Sequence, residues 1–344
     1  MVMGVTGSES TDAGVGPGAK LGITLPAFPL GAPPGRFYSD VAVLVEECGF
    51  DSFFAGDHMF GHAGNLEPLV QLTAAAAVTK RLRLGTNILL LPLREPALVA
   101  KQVATIDVLS GGRFVCGVGL GGEMEHEWAA MEVPLVRRGK RLDEYLDILR
   151  ALWSGEVMDH AGEFRNISGV VGSPSPFTRG GPPLWVGGRS DAALARALRF
   201  DGWTSYATSP RTLAQTVEKL RPGTRPGFTV ASTIFVHVAD DEATALQNAN
   251  AVLEPTYNQD MTDLLPHIGA VGDAEQVACR LESFTRAGAD ELILCVLAPA
   301  DQIPNQIENL SEILGLTSRA VHHTQTSALT AARLEESYAR AEPS

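Results

Sequence analysis

The sequence predicts an α/β protein of the (β/α)8 TIM-barrel class with insertions, on three observations. Short β-rich runs alternate eight times with helical segments across residues 20–316 of the 344-residue chain, the order that builds a parallel sheet with helices on its faces. Several of the strands, such as LRLGTNILLL at 82–91, are close to continuously apolar, as strands buried on both faces are. Glycines and polar residues gather just after these runs, where a barrel carries its working residues.

Residues 20–25 form the first predicted strand, closed by Pro26, and a Pro/Gly-rich loop follows to Gly35. Residues 37–48 give a helix with Val41, Leu44 and Val45 on one side, capped by Gly49. Residues 51–55 are strand two, after which Gly56-Asp57-His58 leaves the strand end. Residues 66–79 are helical and feed strand three, which Pro92 ends because proline has no N–H for a ladder. Pro96 suits a first helical turn, and Gly111-Gly112 gives that helix a left-handed stop. Residues 114–119 are strand four, parallel to strand three through a right-handed crossover.

A loop with Glu123, Glu125, His126 and Glu127 precedes the most strongly amphipathic helix, in which Leu142, Tyr145, Leu146, Leu149, Leu152 and Trp153 share a face. Residues 156–183 read as an insertion, a short hairpin followed by loops. Strands five to eight are expected at 184–186, 202–206, 228–238 and 291–297. Their helices are expected at 191–199, 211–220, 240–254, 273–287 and 303–314, with 255–272 an inserted loop or helix. Residues 1–19 read as a disordered leader and 317–344 as a tail with helical potential.

Composition narrows the function classes. A net charge of −13 with no basic cluster argues against nucleic acid as a partner. No run of about 18 apolar residues marks a membrane span. Cys48, Cys116, Cys279 and Cys295 are widely spaced, without a C-x-x-C pair, as reduced cytoplasmic thiols are. The histidines have no metal-binding spacing, so no metal site is expected. Gly117, Gly119 and Gly122 satisfy G-x-G-x-x-G, the loop that cradles a pyrophosphate in a Rossmann domain. That fold needs the turn in its first βα unit and an acidic residue ending the next strand. Here two βα units come earlier, and Asp143 and Glu144 lie in a predicted helix. The glycines are better read as letting a ligand approach the backbone at a barrel strand end.

The run TNILLLPLREPALVAKQVATIDVLSGGRFVCGVGLGG, followed by RRGKRLDEYLDILRALWSGE, resembles the luciferase-like monooxygenase superfamily, and within it the branch that uses the deazaflavin coenzyme F-420. LWVGGRSDAALARALRFDGW is similar to that branch's second signature. The resemblance spans roughly residues 20–316. It implies a bacterial-luciferase-like barrel holding a deazaflavin, with FMN as the alternative, and hydride transfer to or from a small-molecule substrate. An FMN-dependent monooxygenase and a cofactor-binding protein without turnover are the rival readings, and a homodimer is the expected assembly.

A lone histidine is more often structural than functional, but Asp57-His58 matches the family's acidic residue and histidine beside the cofactor ring. The resemblance thus makes His58 the proton donor or acceptor, with His62 as a nearby substitute. It implies a non-prolyl cis peptide at Asn87-Ile88 backing the ring, and places Gly119-Leu120-Gly121 along the ring and its ribityl chain. Gly187-Gly188-Arg189 opens a helix and would meet the cofactor's phosphate, with Ser205 and Tyr206 as further phosphate donors. Some deazaflavin enzymes carry a catalytic carboxylate just after the strand-four glycines. This chain has Gly122 there and Glu123 next, a departure from sugar-phosphate dehydrogenase chemistry. Asp107 and Arg113 are expected to act structurally, as a pair or cap at the crossover loop. Arg137, Arg138 and Arg141 read as a solvated face or a landing site for a polyanionic cofactor tail.

Overall fold

A computed structural model describes residues 18–26, 35–60, 64–121 and 124–316. The expected leader up to Pro17, the tail 317–344, His62, Glu123 and most of the loop after Pro26 lie outside the described residues.

Eight parallel strands close into a barrel: β1 (Lys20–Thr24), β2 (Ser52–Ala55), β3 (Arg83–Leu89), β4 (Phe114–Val118), β5 (Leu184–Gly187), β6 (Gly202–Tyr206), β7 (Thr229–Val238) and β8 (Glu291–Val296). Each pairs with the next, and β8 pairs back to β1. Closure removes the sheet edges that an open arrangement would leave unpaired. Helices pack outside. Leu72, Val103, Leu149, Leu281 and Leu310 are fully buried in the layer between barrel and helices. Trp153 fixes two helices together there by donating from Nε1 to Ala100 O at 2.9 Å.

Phe54, Val115, Trp185, Ala231 and Ile293 form a separate cluster within the barrel. The Phe54 and Trp185 rings stack at 5.7 Å. Gly85 on β3 leaves the room they need, since a Cβ there would lie 2.5 Å from the Phe54 ring. At the N-terminal end of β8, buried Glu291 accepts from Ser52 Oγ at 2.6 Å and pairs with Arg83. Packed rings and this polar plug fill the N-terminal side, so a cavity has room only toward the C-terminal ends of the strands.

Three expectations change, and a fourth holds in modified form. A ninth strand, Gly269–Gly272, runs parallel to the second half of β7. At ten residues β7 outlasts β6, and the sequence GAVG covers the stretch that β6 leaves unpaired. The loop expected around Glu125–Glu127 is a short helix, Glu125–Ala130. Asp107 and Arg113 are structural, as expected, though they cap neighbouring segments and do not pair with each other. Asp107 accepts from Thr178 N and Oγ1, while Arg113 donates to carbonyls of Ala76, Thr79, Leu82 and Ser110. Arg137 is exposed, as a solvated face requires, whereas Arg141 is buried and offers no open landing site. Arg137 pairs with Glu163, and buried Arg141 lies 4.5 Å over the Phe164 ring, both against the turn of the expected hairpin (Val157–Ala161 with Asn166–Val171).

Candidate active site

The C-terminal strand ends surround a cavity of about 830 Å³, within the range of cofactor and substrate sites. Asp57, His58, Asn87, Ile88, Leu120, Gly121, Gly187, Gly188, Arg189, Ser205 and Tyr206 all line it. Gly119 does not.

The centre of the site is the Asn87–Ile88 peptide of β3, which is cis. The β3–β4 register shifts at this point, between Thr86 and Leu89. The Asn87 side chain is held from across the barrel. Its Nδ2 donates to Thr233 Oγ1 at 2.6 Å, and Thr204 Oγ1 donates to its Oδ1 at 2.9 Å. Three strands thereby fix one amide, and Thr204 and Thr233 are site residues that sequence reading missed. Ile88 occupies the space left by two glycines. A Cβ on Gly119 would lie 1.9 Å from Ile88 Cδ1, and one on Gly187 would lie 3.1 Å from Ile88 Cγ2. Gly119 therefore serves the site from beneath, by seating Ile88.

After β2, Asp57 is buried and its carboxylate is engaged. Oδ2 accepts from Leu90 N at 2.9 Å and Arg94 Nε at 3.1 Å, and Oδ1 accepts from Arg94 Nη2 at 2.8 Å. Arg94 also donates to Glu67 Oε1 at 2.6 Å. Burial works against the Arg94 charge, and the two carboxylates outweigh it, so its pKa lies above the ordinary arginine value. Breaking a buried pair of this kind costs about 3–5 kcal/mol. Asp57 is thus a staple between the ends of β2 and β3, and His58 stands on that staple.

His58 is half-buried, and its Nδ1 lies 3.2 Å from Glu127 Oε2. Glu127 is 1% exposed, and its Oε1 accepts from Phe60 N at 2.9 Å. Sequence reading named Glu127 but gave it no role. With a buried carboxylate accepting Nδ1–H, the imidazole takes the tautomer whose Nε2 lone pair is open to a ligand.

On the opposite side, Gly187 ends β5 and Gly188 turns the chain with φ +127°. Trp203 Nε1 donates to Gly188 O at 2.8 Å. Ser190 caps the helix Asp191–Ala197 by accepting from Ala193 N. Arg189 is exposed at this rim and forms no ion pair among the described residues. Ser205 is buried and its hydroxyl donates to Ser232 at 2.9 Å, so the hydroxyl expected to donate to phosphate is already engaged between strands. The Tyr206 ring lies edge-on to Phe235 at 5.5 Å, and its hydroxyl pairs with that of Tyr257. No group of three or more His, Cys, Asp or Glu among the described residues is placed to hold a metal.

A family model described as luciferase-like monooxygenase matches residues 19–291. A putative coenzyme F-420-dependent oxidoreductase of Mycobacterium tuberculosis is 28% identical over 297 residues, 80% of each chain. An F-420-dependent glucose-6-phosphate dehydrogenase of Microbacterium testaceum is 33% identical over 201 residues, 56% of this chain and 58% of that one. Among solved structures, an F-420-dependent secondary alcohol dehydrogenase in complex with an F-420–acetone adduct superposes with a TM-score of 0.75 at 21% identity, covering 87% of this chain and 99% of that one.

Proposed function

Since the chain belongs to the luciferase-like monooxygenase family, we propose that it is an oxidoreductase that binds coenzyme F-420 and moves a hydride between that cofactor and a small organic substrate. The observation that carries this reading is the meeting of three features in one cavity. They are the Asn87 amide held by Thr204 and Thr233, the His58–Glu127 pair, and the Gly188–Arg189 turn, whose cation has no ion-pair partner among the described residues. The name of the Mycobacterium tuberculosis relative, matched over 80% of each chain, supports the choice of cofactor.

The residues suit such a group. Gly187 and Ile88 form a floor beside the fixed Asn87 amide, with Gly119 seating Ile88 from beneath, which suits a planar ring. Arg189 offers a charge-assisted bond to a phosphate. A bound deazaflavin would supply the hydride-accepting carbon, and the protein would supply position and the proton. Oxidising an alcohol to a carbonyl removes a hydride from carbon and a proton from oxygen. His58 Nε2 takes the proton in that direction and returns it in the other. Glu127 holds the ring in the tautomer this requires and stabilises the imidazolium that forms. Asp57, bound to Arg94 and Leu90 N, sets the backbone angle from which His58 projects.

Titration of the apo-protein with F-420 and FMN, followed by absorbance and fluorescence, tests this reading. F-420 is expected to bind at least about tenfold more tightly than FMN. Tighter FMN binding, together with substrate-dependent oxygen uptake, would make the protein a flavin monooxygenase instead. Binding of either cofactor with no substrate-dependent bleaching would mark a binder without turnover.

A further inference from the structure

Lysine and glutamate are absent from the described residues that line the cavity. The formal charges there are Asp57, Arg189 and, when protonated, His58. Asp57 is spent on Arg94, and His58 faces the buried Glu127 carboxylate. Among the described lining residues only Arg189 remains as an uncommitted cation, and the proposed cofactor brings its own phosphate to it. The undescribed segments that interrupt the chain between lining residues add no lysine or arginine by sequence, and their one titratable base is His62. Residues 27–34 read AFPLGAPP, 61–63 read GHA and 122–123 read GE.

One wall of the cavity is built from apolar side chains. Phe235 from β7, Leu253 from the helix Glu242–Tyr257, and Met261 just beyond that helix belong to one buried cluster that also contains Cys295. Tyr206 and Tyr257 complete it with their rings, their hydroxyls bonded to each other. An ion brought against this wall would lose its water and gain no partner of opposite charge, whereas hydrocarbon placed there leaves water favourably.

We propose that the substrate of this site is a neutral, predominantly apolar alcohol or the corresponding carbonyl compound, and that phosphorylated substrates are excluded. The inference rests on the oxidoreductase reading above and narrows it. It also separates this chain from the relative named for glucose 6-phosphate, whose matched region is 58% of its length.

The test is a ligand panel on the full chain, run with F-420, with FMN and with neither cofactor. Octan-2-ol and cyclohexanol are the neutral probes, and glucose 6-phosphate and inorganic phosphate the anionic ones. Binding is read as a shift in melting temperature and turnover as cofactor bleaching. Neutral alcohols are expected to bind at least about tenfold more tightly than glucose 6-phosphate, and they alone should bleach the cofactor. Met261→Lys and Leu253→Lys should each invert the preference, weakening octan-2-ol and admitting glucose 6-phosphate. The wild-type panel decides the matter even if neither variant folds. Glucose 6-phosphate binding as tightly as the alcohols would overturn the proposal, and so would alcohols that fail to bind at saturation. A neutral preference without binding of either cofactor would instead uphold the substrate class and sink the oxidoreductase reading.

Discussion

At the scale of single residues, Glu127 and His58 can be told apart by what each variant leaves standing. His58→Ala removes the proposed proton relay but leaves Arg189, Asn87 and the glycine turn. We expect turnover to fall by roughly 10²-fold or more, with cofactor affinity close to wild type. Glu127→Ala loses the bonds to both His58 and Phe60 N, so it should cost as much turnover and also lower the melting temperature. Glu127→Gln keeps an acceptor of the same size and loses only the charge, so its turnover should fall between wild type and Glu127→Ala. Stopped-flow bleaching and cofactor titration on the three variants check this ordering. Wild-type turnover in His58→Ala would remove His58 from the chemistry. The place of His58 at the cavity was legible because it follows a strand end, and its proposed role came from the resemblance carried by Asp57-His58. The role of Glu127 was not, because its contact spans 69 residues of chain and the short helix that delivers it has no long apolar period.

At the scale of elements, the eight barrel strands were legible within a residue or two at most boundaries, because buried parallel strands leave apolar runs between turn residues. The misses have local causes. Gly269–Gly272 is too short and too small in its side chains to stand out, and pairing with β7 alone makes it a strand. The helix after β7 runs through Pro255 to Tyr257, although a proline usually ends a helix within a turn. Gly119 was legible as important but for the wrong contact, since only the fold shows Ile88 lying over it. The turn after β5 yields a prediction at this scale. Arg189 is the cation of this turn and has no ion-pair partner among the described residues, and hydrogen bonds to charged groups contribute about 1.5–3 kcal/mol. Arg189→Ala should therefore weaken cofactor binding about tenfold or more. Gly188→Val should weaken it further, because φ +127° disfavours a branched residue and a Cβ there would sit 2.7 Å from Ala193 Cβ. Calorimetric titration of both variants is the check. Unchanged affinity in both would move the phosphate site elsewhere.

At the scale of the whole molecule, the four thiols report on how tightly the barrel is closed. Cys279 is exposed, whereas Cys48 and Cys116 are buried in the main core and Cys295 in the cluster beside the cavity. Burial pushes the Cys116 and Cys295 thiols up to about 12. Burial, with help from Glu308 and Glu47, pushes Cys48 up to about 11. Alkylation needs the thiolate. At pH 8 a thiol of pKa about 12 is ionised in roughly one molecule in 10⁴, and most of these sulfurs are shielded as well. Iodoacetamide at pH 8 should therefore modify Cys279 readily and leave the other three unmodified in the folded protein. All four should react in denaturant. Cys295 is the demanding case, because it lines the cavity and belongs to the wall proposed to meet the substrate. Slow labelling at Cys295 should track global unfolding, at a rate matching Cys116, if the wall is as closed as its 3% exposure indicates. Peptide mass spectrometry over a labelling time course measures both rates. Cys295 reacting well ahead of Cys116 would show that the apolar wall opens on its own, and a closed hydrocarbon surface could then no longer be the source of substrate selection.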